Sequence, residues 1–405
     1  MPTKEELVEA DLSHSLLQDN DDFSLVLGGP LYNLYLRTRL STPPLGLVRR
    51  RAVILSLACW LPLLLLSLIQ GYALHGVPVP FLLDVEVHIR FLAALPLLIL
   101  AELIAHKRIV VVVRQFLERH IIAPEDRARF AKIISSTMRL RNSVLFEAVL
   151  LVFCFTLGQW LWKEQLALKI STWYEINSGG GSHLTAAGYW YEFLSLPVFR
   201  FILFRWYFRL FLWYQLLWRV RALPLHLNLY HPDRVGGLGF LSASIFAFIP
   251  VLLAHTTFLA GFIGDRILHA GATLLTFRME ILGSLLFLLL LVLTPLSFFV
   301  VQLEKAQRVA SVEYGLLASD YVNDFRKKWV QDRSVEAEPL LGTPDIQSLA
   351  DLGNAFKSIS DMRVLPFTKD AVVRLIGILV IPLLPLALTM VPLKQIVDWL
   401  IKLAF

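Results

Sequence analysis

Runs of about twenty mostly apolar residues recur along this chain, and nothing else constrains its fold so strongly, because one helix needs about 20 such residues to cross the hydrocarbon core of a bilayer. The runs occupy residues 52–74, 91–109, 144–162, 191–218, 239–263, 281–301 and 371–391. In the second, Glu102 and the sequence His106, Lys107, Arg108 interrupt the pattern, and the third and fourth carry embedded charge. Composition leads the same way. With 56% hydrophobic residues, 17% charged residues and a mean hydropathy of +0.62, the chain lies outside the soluble range. A backbone in hydrocarbon must satisfy its own polar groups, so the expected fold is all-α: a polytopic transmembrane helix bundle of about seven spans with cytoplasmic helical extensions.

Orientation follows from where the basic residues fall. If the N-terminus is inside, 27 of the 38 Lys and Arg side chains lie in inside segments, seven lie outside and four lie within spans. That asymmetry predicts an inside N-terminus and an outside C-terminus, in the bacterial cytoplasmic (inner) membrane. The same bias accounts for the net charge of +6, so nucleic acid is not expected as a partner. The first residues carry Glu5, Glu6, Glu9, Asp11, Asp19, Asp21 and Asp22 where a cleavable signal needs a basic start. Trp160, Trp162, Trp173, Tyr174, Tyr189, Trp190 and Tyr191 crowd one outer loop, as rings at an interface do, and Ser178 to Ser182 reads as its flexible tip.

Between the apolar runs the chain divides into recognisable parts. Residues 1–51 read as a cytoplasmic tail and interfacial segment, acidic up to residue 23. Residues 110–141 read as a helical hairpin extending spans two and three, its second arm starting at Pro124, Glu125, Asp126. Residues 302–370 read as a cytoplasmic helical region. Apolar positions Val309, Val312, Leu316, Leu317, Tyr321 and Phe325 predict that span six continues inward, and Thr343, Pro344, Asp345 predict a second helix running to about Met362. Span seven, 371–391, precedes a tail to residue 405. Prolines at 295, 382, 385 and 392 predict bends.

Ionisable groups inside spans are the strongest pointers to function, since an unpaired one costs on the order of 2.5 to 3.5 kcal/mol at the helix centre. Glu102, Glu147, Arg205, Arg209 and His255 form the candidate intramembrane cluster. Arg205 and Arg209 lie about 40° apart on one helix face while Arg200 sits about 180° from Arg209, so the expected pairing is Arg205 or Arg209 with Glu102 and Glu147. Intervals of five and four residues between the arginines do not fit a voltage sensor, and the surrounding rings offer stacking instead. Cys59 and Cys154 sit in apolar runs and support neither a disulfide nor a metal site. No cofactor is implied.

A second candidate site is the string His231, Pro232, Asp233, Arg234 with Gly236, Gly237 and Gly239. Free backbone N–H groups, the glycines and Arg234 suit an anion such as a lipid phosphate, and a tight turn explains the same residues. His231-Pro232-Asp233 resembles the turn of J-domain co-chaperones, but that turn joins two short soluble helices and this one joins two apolar runs. The chain as a whole resembles an uncharacterised family of bacterial multi-pass inner-membrane proteins. Trp60-Leu61-Pro62-Leu63, His231-Pro232-Asp233 with Gly236-Gly237, and Thr343-Pro344-Asp345 to Met362 carry that resemblance, which implies a membrane bundle and no particular activity.

These readings favour an integral membrane protein that passes or senses a small solute or ion, and is not an enzyme. Two alternatives remain: a membrane-embedded enzyme acting on lipid or a lipid-linked substrate, and a scaffold recruiting a cytoplasmic protein. HExxH, GxSxG and CxxC patterns are absent. The bilayer is the expected partner, with a homo-oligomer or a cytoplasmic protein as further ones.

Overall fold

The computed structural model of the chain describes residues 23–161, 171–178, 181–331 and 343–390. Helix α1 (Pro30–Arg37) starts on a proline, whose fixed φ and missing N–H suit a first helical turn. Next come α2 (Val48–Ile69), α3 (Val85–Glu118), α4 (Arg127–Arg141) and α5 (Val144–Phe155). A hairpin of β1 (Glu175–Ser178) and β2 (Gly181–Leu184), with Glu175 opposite Leu184, leads towards α6 (Leu196–Val220). Helices α7 (Leu238–Ala270), α8 (Leu274–Ser297), α9 (Val300–Arg326), α10 (Pro344–Ser360) and α11 (Lys369–Met390) complete the described chain.

Among the described residues five helices are long and apolar enough to cross a membrane: α2, α3, α7, α8 and α11. The third apolar run counts only together with α4, as Pro124–Arg141 and Val144–Trp160 bent by 42°, which makes six. The fourth run is α6. Its 25 residues suffice in length, but Arg200, Arg205, Arg209 and Arg219 along it keep it out of the five. The small β-hairpin is the one sheet among the described residues, and Ser178, Gly181 and Ser182 of the expected flexible tip belong to its strands.

Several boundaries move. The second run and the first arm of the expected hairpin are one 34-residue helix, α3, because Val110 to Phe116 keep an apolar face buried on the bundle. Residues 1–22 of the acidic tail, Pro392 and the C-terminal tail lie outside the described residues. Phe23, also assigned to that tail, is fully buried, as are Leu25 and Val26. Residues 23–29 therefore thread into the bundle.

Helix α3 is central and packs on α2, α6 and α7, while α6 also packs on α4, α5 and α8. Gly261 of α7 makes the close approach possible, since a Cβ there would meet Ile89 Cβ at 3.0 Å. Two π turns, Arg90–Ala94 and Tyr191–Ser195, stand where a Leu-Pro pair follows: Leu95-Pro96 in α3 and Leu196-Pro197 in α6. A proline lacks the N–H of the regular ladder, and the wider turn absorbs the lost bond. Pro250 breaks α7 after Phe248 for the same reason. Outward, Leu57, Leu61, Leu65 and Leu68 stay exposed at helical spacing along α2, a face that a bilayer covers.

Candidate functional site

Glu102, on the central helix α3, is the hub of the buried charges. Its Oε1 accepts a hydrogen bond from Arg209 Nη2 at 2.7 Å and lies 3.6 Å from Arg205 Nη1, and its Oε2 pairs with Arg51 Nη2. Arg205 Nε donates to Glu147 Oε1 at 3.1 Å, so α2, α3, α5 and α6 are linked by three arginines and two glutamates. All five residues are no more than 8% exposed. The guanidiniums also lie on rings, Arg51 4.6 Å from the centre of Tyr35 and Arg209 4.6 Å from that of Trp206.

Glu147 has a second task. Its Oε2 accepts from the backbone N–H of Leu31 at 2.8 Å, placing a carboxylate at the start of α1, where free N–H groups favour negative charge. Arg205 Nη2 reaches the carbonyl of Gly28 at 3.3 Å, and Arg141 Nη1 donates to the carbonyl of Ser24. The threaded segment is thus held on the charge cluster through its backbone. Gly28 and Gly29 adopt φ of +123° and +88°, and a Cβ on Gly28 would lie 2.4 Å from Asn142 Oδ1.

His255 stands apart from this cluster: its Nε2 is 2.6 Å from the Tyr207 hydroxyl and its Nδ1 2.7 Å from the carbonyl of Val251. Arg200 is also apart, as the helical angle requires, and donates to Gln159 Oε1. Sequence reasoning missed Arg51. Helical periodicity gave no signal for it, because at about 100° per residue Arg49 and Arg51 stand equally far from the face of Val48, Ala52 and Cys59, yet of Arg49, Arg50 and Arg51 only the third is buried. A second buried arginine, Arg90, was missed as well. It pairs with Glu86 and donates to the Tyr191 hydroxyl, tying one π turn to the other.

At the basic end of the bundle the His231 turn takes a definite form. Asp233 Oδ1 accepts from the N–H groups of Val235 at 2.9 Å and Gly237 at 3.2 Å, and Oδ2 accepts from Gly239 at 2.8 Å. The backbone N–H groups expected to hold a foreign anion are thus occupied by the chain's own carboxylate. Partial burial pushes the Asp233 carboxyl up, but the three N–H donors and nearby His231 outweigh it and hold the group below its ordinary range. Gly236 and Gly237, at φ of +64° and +92°, supply the left-handed turn that aims these amides. His231 Nδ1 lies 3.1 Å from Asp233 Oδ1.

A cavity of about 580 Å³ opens beside this turn, lined by Arg119, His231, Asp233, Arg234, Phe240 and Arg363 among others. Its arginines come from three distant parts of the chain. Arg119 follows α3 and stacks 5.3 Å from the Phe240 ring centre, while Arg363 follows α10. The Arg363 N–H donates to the Arg234 carbonyl at 2.7 Å and its Nη2 to the Asp233 carbonyl at 2.9 Å. Arg119 and Arg363 carry no local motif, so the sequence offered no signal for either. No group of three or more His, Cys, Asp or Glu side chains among the described residues is arranged to hold a metal ion. No protein-family model matches the chain, and comparison with curated proteins and with solved structures gives no match.

Proposed function

We propose that this chain is a non-enzymatic, multi-pass protein of the bacterial cytoplasmic membrane that senses a small, multiply charged anion at the cytoplasmic end of its bundle. In this reading α6 and the α4–α5 pair also cross the bilayer, giving seven spans with the N-terminus inside, as the distribution of basic residues favours. The observation that carries the proposal is the convergence of Arg119, Arg234 and Arg363 on one cavity whose single carboxylate, Asp233, is engaged by three backbone N–H groups. Positive charge is therefore in excess there, and guanidinium forks match phosphate and carboxylate oxygens in pairs.

Position supports sensing. Arg363 joins the α9–α10 arm to the turn before α7, and Gln307 of α9 reinforces the joint by donating to the carbonyl of Met362 at 3.1 Å. An anion on these arginines bears on both parts at once, and it shifts their arrangement by as much as it prefers one geometry over another. The intramembrane arginines and glutamates are engaged with one another, which favours a structural lock over a path for solute.

Calorimetry on the full chain in zwitterionic nanodiscs, with inorganic phosphate and pyrophosphate as probes, tests this reading. Saturable binding that weakens at least about tenfold in Arg234→Gln and Arg363→Gln, with Arg49→Gln unchanged, is expected for a charge-paired site. A wild-type protein that takes up neither probe, or variants that bind as well, would remove the proposal.

A second reading, an arm that recruits a cytoplasmic protein, has its own support. Val309, Val312 and Leu316 are 48%, 60% and 63% exposed at helical spacing on α9. Loss of a co-purifying protein in Leu316→Asp, with unchanged anion binding, would favour it.

A further inference from the structure

A lateral groove on the opposite flank of the bundle is independent of the basic cavity. It has a volume of about 710 Å³ and runs between α1, α5 and the α6 helix with its preceding π turn. Leu34, Val144, Leu151, Phe155 and Phe193 line it and are 46% to 68% exposed. Glu147 borders it, but both carboxylate oxygens are engaged, by Arg205 and by the N–H of Leu31. The groove therefore presents an apolar wall without a free charge.

One end of the groove changes character. A second cavity of about 510 Å³ shares Pro30, Leu34 and Val144 with the first and is otherwise lined by Gly28, Gly29, Asn33, Arg37 and Asn142. Arg37 closes α1 and has no acidic partner among the described residues. Asn142 Oδ1 accepts from Arg141 Nε at 3.0 Å, which leaves its amide N–H groups to donate. A polar, cationic chamber thus continues into an apolar trough. Along α5 the trough runs from Val144 to Phe155, eleven helical steps or about 16 Å at the helical rise, close to the roughly 15 Å depth of one leaflet.

We infer that this composite groove binds one phospholipid of the cytoplasmic leaflet, its anionic headgroup on Arg37, Asn33 and Asn142 and one acyl chain between α1, α5 and α6. Charge sets the choice of headgroup, because the chamber offers a cation and amide donors and no free carboxylate. Length sets the choice of tail, because the apolar part ends where a leaflet ends. The volume falls among those of sites that enclose a small ligand, about 300 to 1,000 Å³. Such a lipid sits against α1, so it also braces the segment that threads into the charge cluster.

Native mass spectrometry tests the inference on the full chain, released into mild detergent from nanodiscs of equimolar phosphatidylglycerol and phosphatidylcholine. Wild type is expected to retain one phosphatidylglycerol per chain. Ala148→Trp, which fills the trough, is expected to retain none. Arg37→Gln changes an exposed side chain and leaves the fold intact. It is expected to keep a lipid while losing a preference for the anionic one of about fivefold, the effect of one basic residue near an anionic headgroup. Three results would each overturn the assignment: no retained lipid in wild type, equal retention in Ala148→Trp, or an undiminished preference in Arg37→Gln.

Discussion

Arg209 Nη2 stands 2.7 Å from Glu102 Oε1 on the buried face between α3 and α6, and the same carboxylate also receives Arg51 from α2. One negative group therefore serves guanidiniums from two neighbouring helices. Arg205 completes the arrangement by leaning towards Glu102 while it binds Glu147. The cluster holds three cations and two anions, so Glu102 is the member whose loss leaves the greatest uncompensated charge.

Removing that carboxylate leaves Arg51 and Arg209 without their acidic partner in a buried site. Glu102→Ala is expected to destabilise the protein by about 3 to 5 kcal/mol, and Arg200→Gln, which leaves the Glu102 pairs intact, by much less. Denaturant unfolding in mixed micelles measures both. Equal stability of Glu102→Ala and wild type would mean that water reaches the cluster.

Gly28 and Gly271 separate backbone strain from crowding. Both have positive φ, +123° and +64°, but a Cβ on Gly28 would lie 2.4 Å from Asn142 Oδ1 and 2.7 Å from Arg141 Nη2, whereas Gly271 has open space around it. Gly271→Ala should cost about 1 to 2 kcal/mol, the usual left-handed penalty. Gly28→Ala should cost more and should release the threaded segment, seen as faster proteolysis near residue 28. A smaller effect at Gly28 than at Gly271 would contradict the threading.

The turn before α7 should respond to acid. The folded-state pKa of Asp233 is lowered, so its stabilisation is complete above the unfolded carboxylate value of about 3.9 and is lost as pH falls through the lower folded value. Local protection of the Val235, Gly237 and Gly239 amides against hydrogen exchange is expected to persist at pH 5, to start weakening only below the ordinary carboxylate value of about 3.9, and to be lost at lower pH still. Asp233→Asn should weaken that protection even at pH 7. Protection unchanged in the variant would show that the carboxylate does not organise the turn.

Close helix contact gives a further test. Gly261→Val places a branched side chain against Ile89, whose Cβ is 3.0 Å from an added Cβ, and should cost about 1 to 3 kcal/mol through overpacking. Gly283→Ala, at a position with nothing within 4 Å, should stay within about 0.5 kcal/mol of wild type. Thermal unfolding of the two variants in one detergent compares them directly.

Much of the membrane architecture was legible because hydrophobic runs report on the solvent of a helix without reference to other helices. The inward reach of α3 was legible as the first arm of the hairpin, but its start at Val85 and the reach of α7 to Ala270 were not, since those ends are held by packing: Val87 and Asp265 are buried against neighbours the local pattern does not name. For α6, length and charge pull in opposite directions. Its arginines lower its hydropathy, and only the carboxylates of α3 and α5 make them tolerable in a buried setting.

The sequence by itself determined that the chain is a membrane-type helical protein, that Arg205 and Arg209 share a face while Arg200 does not, and that the His231 segment makes a tight turn. These follow from periodicity and backbone sterics, which are local. Only the tertiary structure decided that Arg51 joins Glu102, that His255 pairs with Tyr207 instead, and that residues 23–29 thread inward. It also decided that Asp233 fills its own ring of N–H groups while Arg119 and Arg363 arrive from far away to line the cavity beside it. Charge pairing depends on distance in space, and an arginine more than a hundred residues from its partner leaves no trace of that pairing in its neighbourhood.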